Sequence, residues 1–363
     1  MHNSDSLLSW LRLTLIPGVG GETQRKLLRA LGSPEAIFSS SWSNVREIIG
    51  DRATRLLLET NNNDLVKKSY EWAQCADQYI VTLADQEYPQ TLLETPDPPT
   101  LLYVRGQIDL LNFPLFSIVG SRTPTFQGIQ NAERFSAALT EAGFVIVSGL
   151  ALGIDAAAHR GALSGGATVA FIGTGIDRVY PARNHDLAVE IGAKGAIVSE
   201  FPLGTPATAS NFPRRNRLIA GIAQGVLIVE AAIKSGSLIT ARLAAEQGRE
   251  VFSIPGSIHS PQSKGCHQLI KQGAKLVETA QDILEELSWQ SPIMSGHKTA
   301  MTKPSQHHSN SLLSIIGFDP CSLDELANHS GLSAESLSPQ LLRLELEGAI
   351  ARLPGGRYQR LAI

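Results

Sequence analysis

The sequence has few cysteines, no long apolar run and little net charge. Among its 363 residues, the three cysteines Cys75, Cys266 and Cys321 lie far apart. An odd number of widely spaced cysteines argues against a disulfide framework or a zinc site and fits a reducing compartment. No run approaches the roughly 20 apolar residues that span a bilayer, and the first residues lack the basic start of a signal peptide. We therefore expect a cytoplasmic protein.

The net charge is −3, from 31 basic and 34 acidic residues, which by itself does not indicate binding of nucleic acid. Residues 115–255 nevertheless contain 12 basic and 10 acidic residues, so this region is slightly basic within an acidic chain. The local placement of charge, rather than its total, sets a binding field. Basic residues of this central region are therefore candidates for contact with an anionic ligand.

The usual nucleotide-binding motifs are missing. Gly173 and Gly175 form a GxG without the third glycine of a dinucleotide fingerprint, and the sequence contains no GxxxxGK[ST] loop. We therefore expect no nucleotide cofactor.

Residue pairs suited to catalysis are also few. Asp155 and His159 are four residues apart and could share a helix face, but a helix-capping Asp beside a packed His is the favoured interpretation. Cys266 and His267 are adjacent, and neighbours on a helix diverge by ~100°, which disfavours a nucleophile–base pair. The sequence predicts neither a metal site nor an enzyme.

Residues 1–75 have a helical pattern. An apolar stretch and a glycine turn at 13–20 lead into an amphipathic helix, and 45–58 is a weaker second copy. This pattern resembles a helix-hairpin-helix or SAM-like domain, whose glycine-rich turn offers backbone N–H groups to phosphate. A small helical bundle in which Gly18 and Gly20 only cap helices explains the pattern equally well.

Within residues 76–288, the first part, 76–113, is transitional, and residues 114–288 alternate apolar strands with helical segments. Continuous Val/Ile runs with intervening helices predict a parallel sheet covered on both faces, that is, an α/β, Rossmann-like domain. Pro96, Pro98 and Pro99 predict irregular structure before the first central strand. The predicted strands are 79–83, 115–119, 144–147, 168–172, 196–198, 226–229, 251–254 and 275–277, and the predicted helices are 128–142, 156–163, 218–223 and 238–247.

The C-terminal residues 289–363 divide into two parts. Residues 289–310 are rich in Ser, Gln, His and Lys, which predicts a flexible linker containing His307 and His308. Residues 311–363 fit a winged helix, whose four basic and six acidic residues allow contact with DNA or with protein. Its predicted parts are a first helix from 312–316, a capping box at Ser322 and Glu325, a third helix at 334–348 and a wing at 353–358.

The candidate binding residues follow the strands of the central domain, because ligands of open α/β sheets bind beyond the carboxyl ends of the strands. The first such loop is Gly120-Ser121-Arg122, where Gly permits close approach of backbone and the other two side chains donate hydrogen bonds. The next loop contains Gly149 and Gly153 and leads into a helix N-terminus. These residues are predicted to hold phosphate.

Three further loops follow strands at the same predicted edge of the sheet, and they contain arginines and a Ser-Gly-Ser sequence. Arginine suits phosphate contact and base stacking, and the Ser-Gly-Ser sequence could form an anion-binding nest. One arginine of the fourth loop could instead form a structural salt bridge with Glu200 or Glu230. Phe126, Tyr180 and Phe212 are candidates for base stacking, although core packing explains each of them as well. The further candidates are Arg183 in the third loop, Arg214, Arg215 and Arg217 in the fourth, and Ser235, Gly236 and Ser237 in the fifth.

The sequence resembles the DNA-processing protein A family, also called DprA or Smf. The resemblance covers roughly residues 85–288. The matching strings are IVGSR at 118–122, SGLALGIDAAAHRGAL at 148–163, GTGIDRVYPARN at 173–184, EFPLGTPA at 200–207, NFPRRNRLIAG at 211–221, VEAAIKSGSLITARLAAEQGR at 229–249 and VFSIPGS at 251–257.

This resemblance implies more than the residues do. Members of the family bind single-stranded DNA, protect incoming transforming DNA and load the RecA recombinase onto it. They are not known as enzymes, and they typically form dimers through the Rossmann-like domain. The family's Gly-Ser/Thr-Arg loop matches Gly120, Ser121 and Arg122, with the arginine on DNA, and Arg183 matches a basic residue that follows Tyr-Pro.

Two functions are compatible with these observations. The first is a single-stranded DNA-binding recombination mediator that acts in natural transformation. The second is an enzyme that hydrolyses nucleoside phosphates, with Glu230 and Arg214 as its reacting pair. A single phosphate needs one or two basic loops, whereas a strand needs several, so the number of basic loops favours the first function.

Overall fold

The computed structural model describes residues 4–289, 312, 313, 316 and 320–361. Residues 290–310 of the predicted linker 289–310, with His307 and His308, lie outside the described residues. Trp289, the first residue of that predicted linker, packs on Phe144 with a ring-centroid distance of 4.1 Å, and its indole N–H donates to Ala142 O at 2.9 Å. No helix of the described part of the chain is long and apolar enough to cross a membrane.

Five helices form the N-terminal part. The predicted glycine turn joins the first two, and the Gln24 side chain fastens this turn by donating to Val19 O at 2.8 Å. The predicted second copy is one helix, kinked where Gly50 has a φ of 79°. Leu13, Leu27 and Leu57 meet in a small apolar core. The helices are α1 (Ser4–Thr14), α2 (Gly21–Leu31), α3 (Pro34–Ser39), α4 (Trp42–Glu59) and α5 (Asn63–Trp72).

A nine-stranded sheet forms the central domain, which confirms the predicted α/β class. The strand order is β1-β2-β6-β5-β4-β3-β7-β8-β9. Strands β3 to β9 are parallel to one another, whereas β2 is antiparallel to both of its neighbours, β1 and β6. The strands are β1 (Gln78–Thr82), β2 (Leu101–Gly106), β3 (Leu115–Val119), β4 (Val145–Ser148), β5 (Thr168–Phe171), β6 (Ala196–Ser199), β7 (Gly225–Ile228), β8 (Glu250–Ser253) and β9 (Lys275–Leu276).

The strand β2 was missed by the sequence analysis. The three nearby prolines predict irregular structure, yet the chain becomes extended directly after them. This strand pairs with β1 on one side and with β6 on the other. Its partner β6 lies more than 90 residues away in the sequence, so a local pattern cannot reveal the pairing.

Helices cover both faces of the sheet. Phe116 and Ile118 pack towards α7 and α8, whereas Leu115 and Val119 pack with α10 and α11 on the other face. Burial on both faces explains the continuous apolar runs of the strands. The helices are α6 (Gln90–Leu93), α7 (Phe126–Glu141), α8 (Ile154–Leu163), α9 (His185–Lys194), α10 (Asn211–Ile222), α11 (Ser237–Glu246), α12 (Lys264–Lys271) and α13 (Ala280–Glu286).

Helix α10 corrects one prediction that matters for the site. The sequence pattern predicts a loop that contains Arg214, Arg215 and Arg217 before a helix at 218–223, but the helix begins at Asn211. Proline is tolerated in the first helical turn, where its missing N–H has no intrahelical acceptor, so Pro213 does not delay the helix. The three arginines therefore point in different directions around a helix instead of sharing a flexible loop.

The described C-terminal residues form a small three-stranded sheet with two helices, in agreement with the predicted winged helix. The capping box of Ser322 and Glu325 is present, and Gly355 and Gly356 adopt positive φ angles of 83° and 70° in the wing turn. The elements are β10 (Cys321–Ser322), α14 (Leu323–Ser330), α15 (Ala334–Leu346), β11 (Ile350–Leu353) and β12 (Arg357–Arg360).

The close approach of α7 and α8 depends on Gly161. A Cβ atom added there would lie 2.3 Å from the backbone oxygen of Glu133. We expect Gly161→Ala to lower the free energy of unfolding by about 1–3 kcal/mol, because the helices must separate. Urea unfolding measures this change. Gly165→Ala is the control, since an added Cβ meets nothing within 4 Å there, and an equal loss in both variants would contradict the prediction.

Candidate nucleic-acid interface

A cavity of about 720 Å³ lies beyond the carboxyl ends of β3, β4 and β7. We call it the central cavity. It brings together seven of the residues predicted to bind phosphate: Gly120, Ser121, Arg122, Arg215, Ser235, Gly236 and Ser237. Its other lining residues are Val119, Thr123, Ala151, Asp155, Tyr180, Ala207, Ala209, Phe212, Pro213, Asn216, Ile219, Ala232, Lys234, Ile239, Thr240 and Gln262.

The Gly120-Ser121-Arg122 loop is held by backbone contacts. The Ser121 hydroxyl accepts from Thr123 N at 3.1 Å, and Ser121 O accepts from Ile154 N at 3.1 Å. A Cβ atom at Gly120 would lie 2.8 Å from the Ile154 side chain, so the loop approaches α8 too closely for any other residue. Arg122 is exposed, and its guanidinium lies 5.4 Å from the centroid of the Phe212 ring.

Gly149 and Gly153 lie behind this loop and do not belong to the cavity lining. Gly153 has a φ of 83°, and an added Cβ would lie 2.3 Å from Ser121 O. An added Cβ at Gly149 would lie 2.6 Å from Arg215 Nη1. The two glycines let neighbouring loops pack closely, and their contact with the ligand stays a prediction.

Arg215 is almost completely buried, with 4% of its surface exposed. Its Nη1 donates to Gly149 O and to Phe171 O, both at 2.5 Å, and its Nε donates to Asn216 Oδ1 at 3.0 Å. Burial lowers the pKa of Arg215 to about 10. This arginine was predicted to contact the ligand from a loop, whereas most of its donors serve the protein interior.

Arg217 and Arg214 lie outside the central cavity lining. Arg217 forms ion pairs with Glu200 and, at 3.2 Å, with Asp97, and 15% of its side chain is exposed. The salt bridge to Glu200 that the sequence suggested for one arginine is therefore present. Burial raises the pKa of Glu200. Arg214 stays 60% exposed, lies 3.7 Å from the same carboxylate and stacks over Phe201.

Arg183 is exposed in a short 3₁₀ helix, Ala182–Asn184, next to the central cavity lining but not part of it. Asn184 fastens this segment by donating to Leu150 O at 2.8 Å. Tyr180 is 49% exposed, and its ring lies 5.7 Å from that of Phe212. Phe126 is partly buried at the start of α7 and does not line the cavity.

The Ser235-Gly236-Ser237 segment forms the opposite wall of the central cavity, where α11 begins. Ser237 N donates to Ser235 Oγ at 3.3 Å, and the two hydroxyls lie 2.7 Å apart. Lys234 also lines this wall and is exposed. Lys234 is not among the residues predicted from the sequence, although its position directly before the Ser-Gly-Ser turn indicates a place at this wall.

Glu230 and Arg214, the pair of the alternative enzyme hypothesis, are not brought together. Glu230 accepts from Thr125 N at 2.9 Å and from the Thr125 hydroxyl at 2.5 Å, which fixes the start of α7. It lines a cavity beside Thr125, whereas Arg214 lines another beside Glu200. Burial raises the pKa of Glu230. The geometry therefore does not support this pair as reacting groups.

Two other residue pairs considered for catalysis have structural partners. His159 is fully buried, and its Nδ1 lies 2.8 Å from the Thr168 hydroxyl. Cys266 is fully buried, while His267 Nε2 lies 3.0 Å from Gly256 O. Within the residues that the structure describes, no group of His, Cys, Asp and Glu side chains could hold a metal ion.

Comparison with known proteins decides the family. The family model "DNA recombination-mediator protein A" matches residues 79–288, and a "DprA winged helix domain" model matches residues 297–356. The chain belongs to the DNA recombination-mediator protein A family. These two matches also confirm the Rossmann-like and winged-helix assignments made from the sequence, and they confirm the resemblance to DprA and Smf proteins.

Several relatives and solved structures of the family are similar to this chain. The Protein Smf of Escherichia coli is 41% identical over 82% of this chain and 81% of its own length. The X-ray structure of DprA from Streptococcus pneumoniae is 38% identical, with a TM-score of 0.71 over 78% of this chain and 99% of that chain. DNA processing protein A from Helicobacter pylori is 33% identical, with a TM-score of 0.53 over 58% and 95%; its structure describes a single-stranded DNA binding mode.

The winged helix of this family member exposes little positive charge on its third helix, α15. Leu342 and Leu346 are 57% and 80% exposed. Arg343, the one basic residue of this helix, pairs with Glu347 at 3.4 Å. The role of the winged helix, contact with DNA or with protein, stays a prediction.

Buried His159 makes the stability of the protein sensitive to acid. Burial lowers its pKa to about 3, so between this value and about 6.5 only the unfolded chain takes up the proton. The free energy of unfolding is therefore highest above about pH 6.5, where the histidine is neutral in both states. It falls as the pH decreases below this value, by about 2 kcal/mol at pH 5. We expect the loss of unfolding free energy between pH 7 and pH 5 to be smaller in His159→Asn than in the natural protein.

Chemical unfolding at the two pH values measures this difference. The control is His185→Asn, because the His185 side chain is 65% exposed. Equal acid sensitivity of the natural protein and His159→Asn would show that this histidine does not carry the effect.

Proposed function

We propose that this protein binds single-stranded DNA in the central cavity, protects it and loads the RecA recombinase onto it during natural transformation. The observation that carries this proposal is the arrangement of the cavity. Exposed cations from two different loops, Arg122 and Lys234, stand beside an exposed aromatic ring, Tyr180. Arg183 and Arg214, in segments that follow β5 and β6, are also exposed, and cations from four segments suit a polymer with repeated phosphates.

The two cations are available for phosphate. Neither Arg122 nor Lys234 forms an ion pair with a carboxylate among the described residues, unlike Arg217. The N-terminus of α11 adds a partial positive charge at Ser237, and the neighbouring backbone amides suit an anion. The cavity therefore offers charge from two side chains and from the backbone.

The aromatic pair supplies a surface for bases. Tyr180 and Phe212 lie side by side at the cavity, and Arg122 approaches the second ring. Stacking on such rings stabilises single-strand complexes by about 1–3 kcal/mol per base. Bases in a duplex are already stacked and paired, so this surface favours single strands.

Membership of the family supports the same function. The relatives include DNA processing proteins, and one solved relative has a described single-stranded DNA binding mode. The RecA partner and the role in transformation follow the family resemblance. We propose no catalytic step and no cofactor, and we place the protein in the cytoplasm. Arg183 and Arg214, both exposed, are proposed to guide the strand outside the cavity.

We also propose that the chain consists of an N-terminal helical domain (1–75), a Rossmann-like domain (76–288), a linker (289–310) and a winged helix (311–363). We propose further that the protein forms a homodimer through the Rossmann-like domain. The sheet ends at the two-residue strand β9, whose outer edge has no partner strand among the described residues. Leu276 in this strand is 44% exposed. An unpaired edge with an exposed apolar side chain is a surface suited to a second copy.

Arg122→Ala tests the site. We expect its affinity for an oligonucleotide to fall at least about tenfold, with a salt slope smaller by about 0.7 for each lost phosphate contact. Fluorescence anisotropy at several salt concentrations measures both quantities. Arg134→Ala is the matched control, because Arg134 is exposed on α7, away from the cavity. Equal losses in both variants would mean that only net charge matters, and duplex binding as tight as single-strand binding would refute the strand preference.

Tyr180→Ala tests base stacking. We expect affinity to fall by about 1–3 kcal/mol with an unchanged salt slope, because the ring contacts a base and neutralises no phosphate. Tyr180→Phe should bind as the natural protein does, since it keeps the ring. A loss in Tyr180→Phe as large as that in Tyr180→Ala would assign the effect to the hydroxyl instead.

A further inference from the structure

A carboxylate lines the cavity that is proposed to hold phosphates. Asp155 belongs to the central cavity lining and is 7% exposed. A negative charge in this position repels a polyanion, and no catalytic role for it exists in the proposed function. Its presence therefore calls for another explanation, which its contacts provide.

Asp155 and Arg215 hold the two polar backbone groups of Gly149. Asp155 Oδ2 accepts from Gly149 N at 3.1 Å and from Ala151 N at 3.4 Å. Arg215 Nη1 donates to Gly149 O at 2.5 Å. Burial raises the pKa of Asp155, and the positive charge of Arg215 opposes this rise, so the two opposite charges compensate each other in part. The pair forms a clamp around a single residue.

The clamped segment needs such support. Leu150, the next residue, has a φ of 56°, in the left-handed region that is costly for a residue with a Cβ atom. Its carbonyl oxygen accepts from Asn184 Nδ2. Without these contacts, relaxation of Leu150 to a negative φ would move the whole segment.

The far end of the segment touches the phosphate loop. Gly153 packs so closely on Ser121 O that an added Cβ would lie 2.3 Å from this atom. Ile154 N donates to the same oxygen at 3.1 Å. A change at Gly149 therefore reaches Ser121, and through it Arg122, along the backbone of residues 149–154.

We propose that Asp155 and Arg215 are positioning residues that act through residues 149–154 to set Ser121 and Arg122 for contact with phosphate. This inference rests on the proposed binding of single-stranded DNA. It assigns Asp155 a favourable effect on binding in spite of its charge. It also assigns Arg215 an indirect effect, although its charge alone would suit direct contact.

The sign of the effect distinguishes positioning from charge. Asp155→Ala and Asp155→Asn both remove one negative charge, so a purely electrostatic role predicts tighter binding of DNA by both variants alike. Positioning predicts weaker binding, by about tenfold for Asp155→Ala, because two backbone N–H groups lose their acceptor. Asp155→Asn should retain part of the affinity, since its amide oxygen can still accept. The salt slope should fall towards that of Arg122→Ala, most in Asp155→Ala, because a displaced Arg122 no longer neutralises its phosphate.

Asp109→Asn is the control for charge, because Asp109 is exposed in the 3₁₀ helix that precedes β3, at the opposite end of the strand from the cavity. It should bind DNA as tightly as the natural protein or slightly more tightly. Oligonucleotide titrations of the full chain at several salt concentrations compare all four proteins. Tighter or unchanged binding in Asp155→Ala would overturn the role of Asp155.

Arg215→Lys separates the two possible roles of the arginine. Lysine keeps the charge but cannot donate at once to Gly149 O, Phe171 O and Asn216 Oδ1. We expect weaker binding and a salt slope reduced towards that of Arg122→Ala, because Arg122 is no longer held at its phosphate. Affinity and slope equal to those of the natural protein would show that the charge at position 215 is sufficient, and would overturn its positioning role.

Hydrogen exchange keeps the inference testable if a variant is unstable. Natural and variant proteins are compared under conditions where both are folded, with the amides of β7 as an internal reference. Positioning predicts faster exchange at Ala151 and Ile154 in Asp155→Ala and unchanged exchange in the reference strand. Unchanged exchange at both amides would overturn the proposal. Failure of the natural protein to bind single-stranded DNA would refute the proposed function instead, which is a separate result.

Discussion

The buried guanidinium of Arg215 joins the parts of the molecule that form the central cavity. It reaches from α10 to the carbonyl oxygens at the ends of β4 and β5, and Asp155 on α8 compensates its charge. These contacts draw the first turns of α10 against the sheet, which places Phe212 and Asn216 on the cavity wall. A buried charge without such partners would be strongly destabilising, so the surrounding elements are constrained to meet it.

The arginines of α10 show how position on a helix separates roles. Arg215 faces the interior, Arg217 turns to Glu200 and Asp97, and Arg214 remains exposed. Successive residues on a helix diverge by about 100°, so adjacent arginines cannot share one ligand surface. The cationic character of the cavity therefore depends on Arg122 and Lys234, which come from other loops. A protein with a net charge of −3 can thus present a local cationic site.

Much of the fold could be predicted from local patterns. The seven parallel strands could be predicted from their apolar runs, because most of them are buried on both faces. The edge strand β9, whose two residues are exposed, is the exception. The capping box of Ser322 and Glu325 was visible because its two residues are close in sequence. The strand β2 and the early start of α10 escaped prediction. Prolines lie beside β2 and within the first turn of α10, where they disfavour regular structure. The contacts that stabilise these two elements come from residues that are distant in the sequence.

The sequence alone determined the class of the fold, the family and the loop that lies at the centre of the site, since these depend on periodicity and on contiguous motifs. Only the tertiary structure decided which basic residues face the cavity. Gly120, Ser121 and Arg122 form a wall of it, whereas Gly149 and Gly153 serve packing and Arg215 and Arg217 are engaged by the protein itself. Whether an arginine is free for a ligand depends on the carbonyl and carboxylate oxygens that the fold brings within reach, and those lie far away in the sequence.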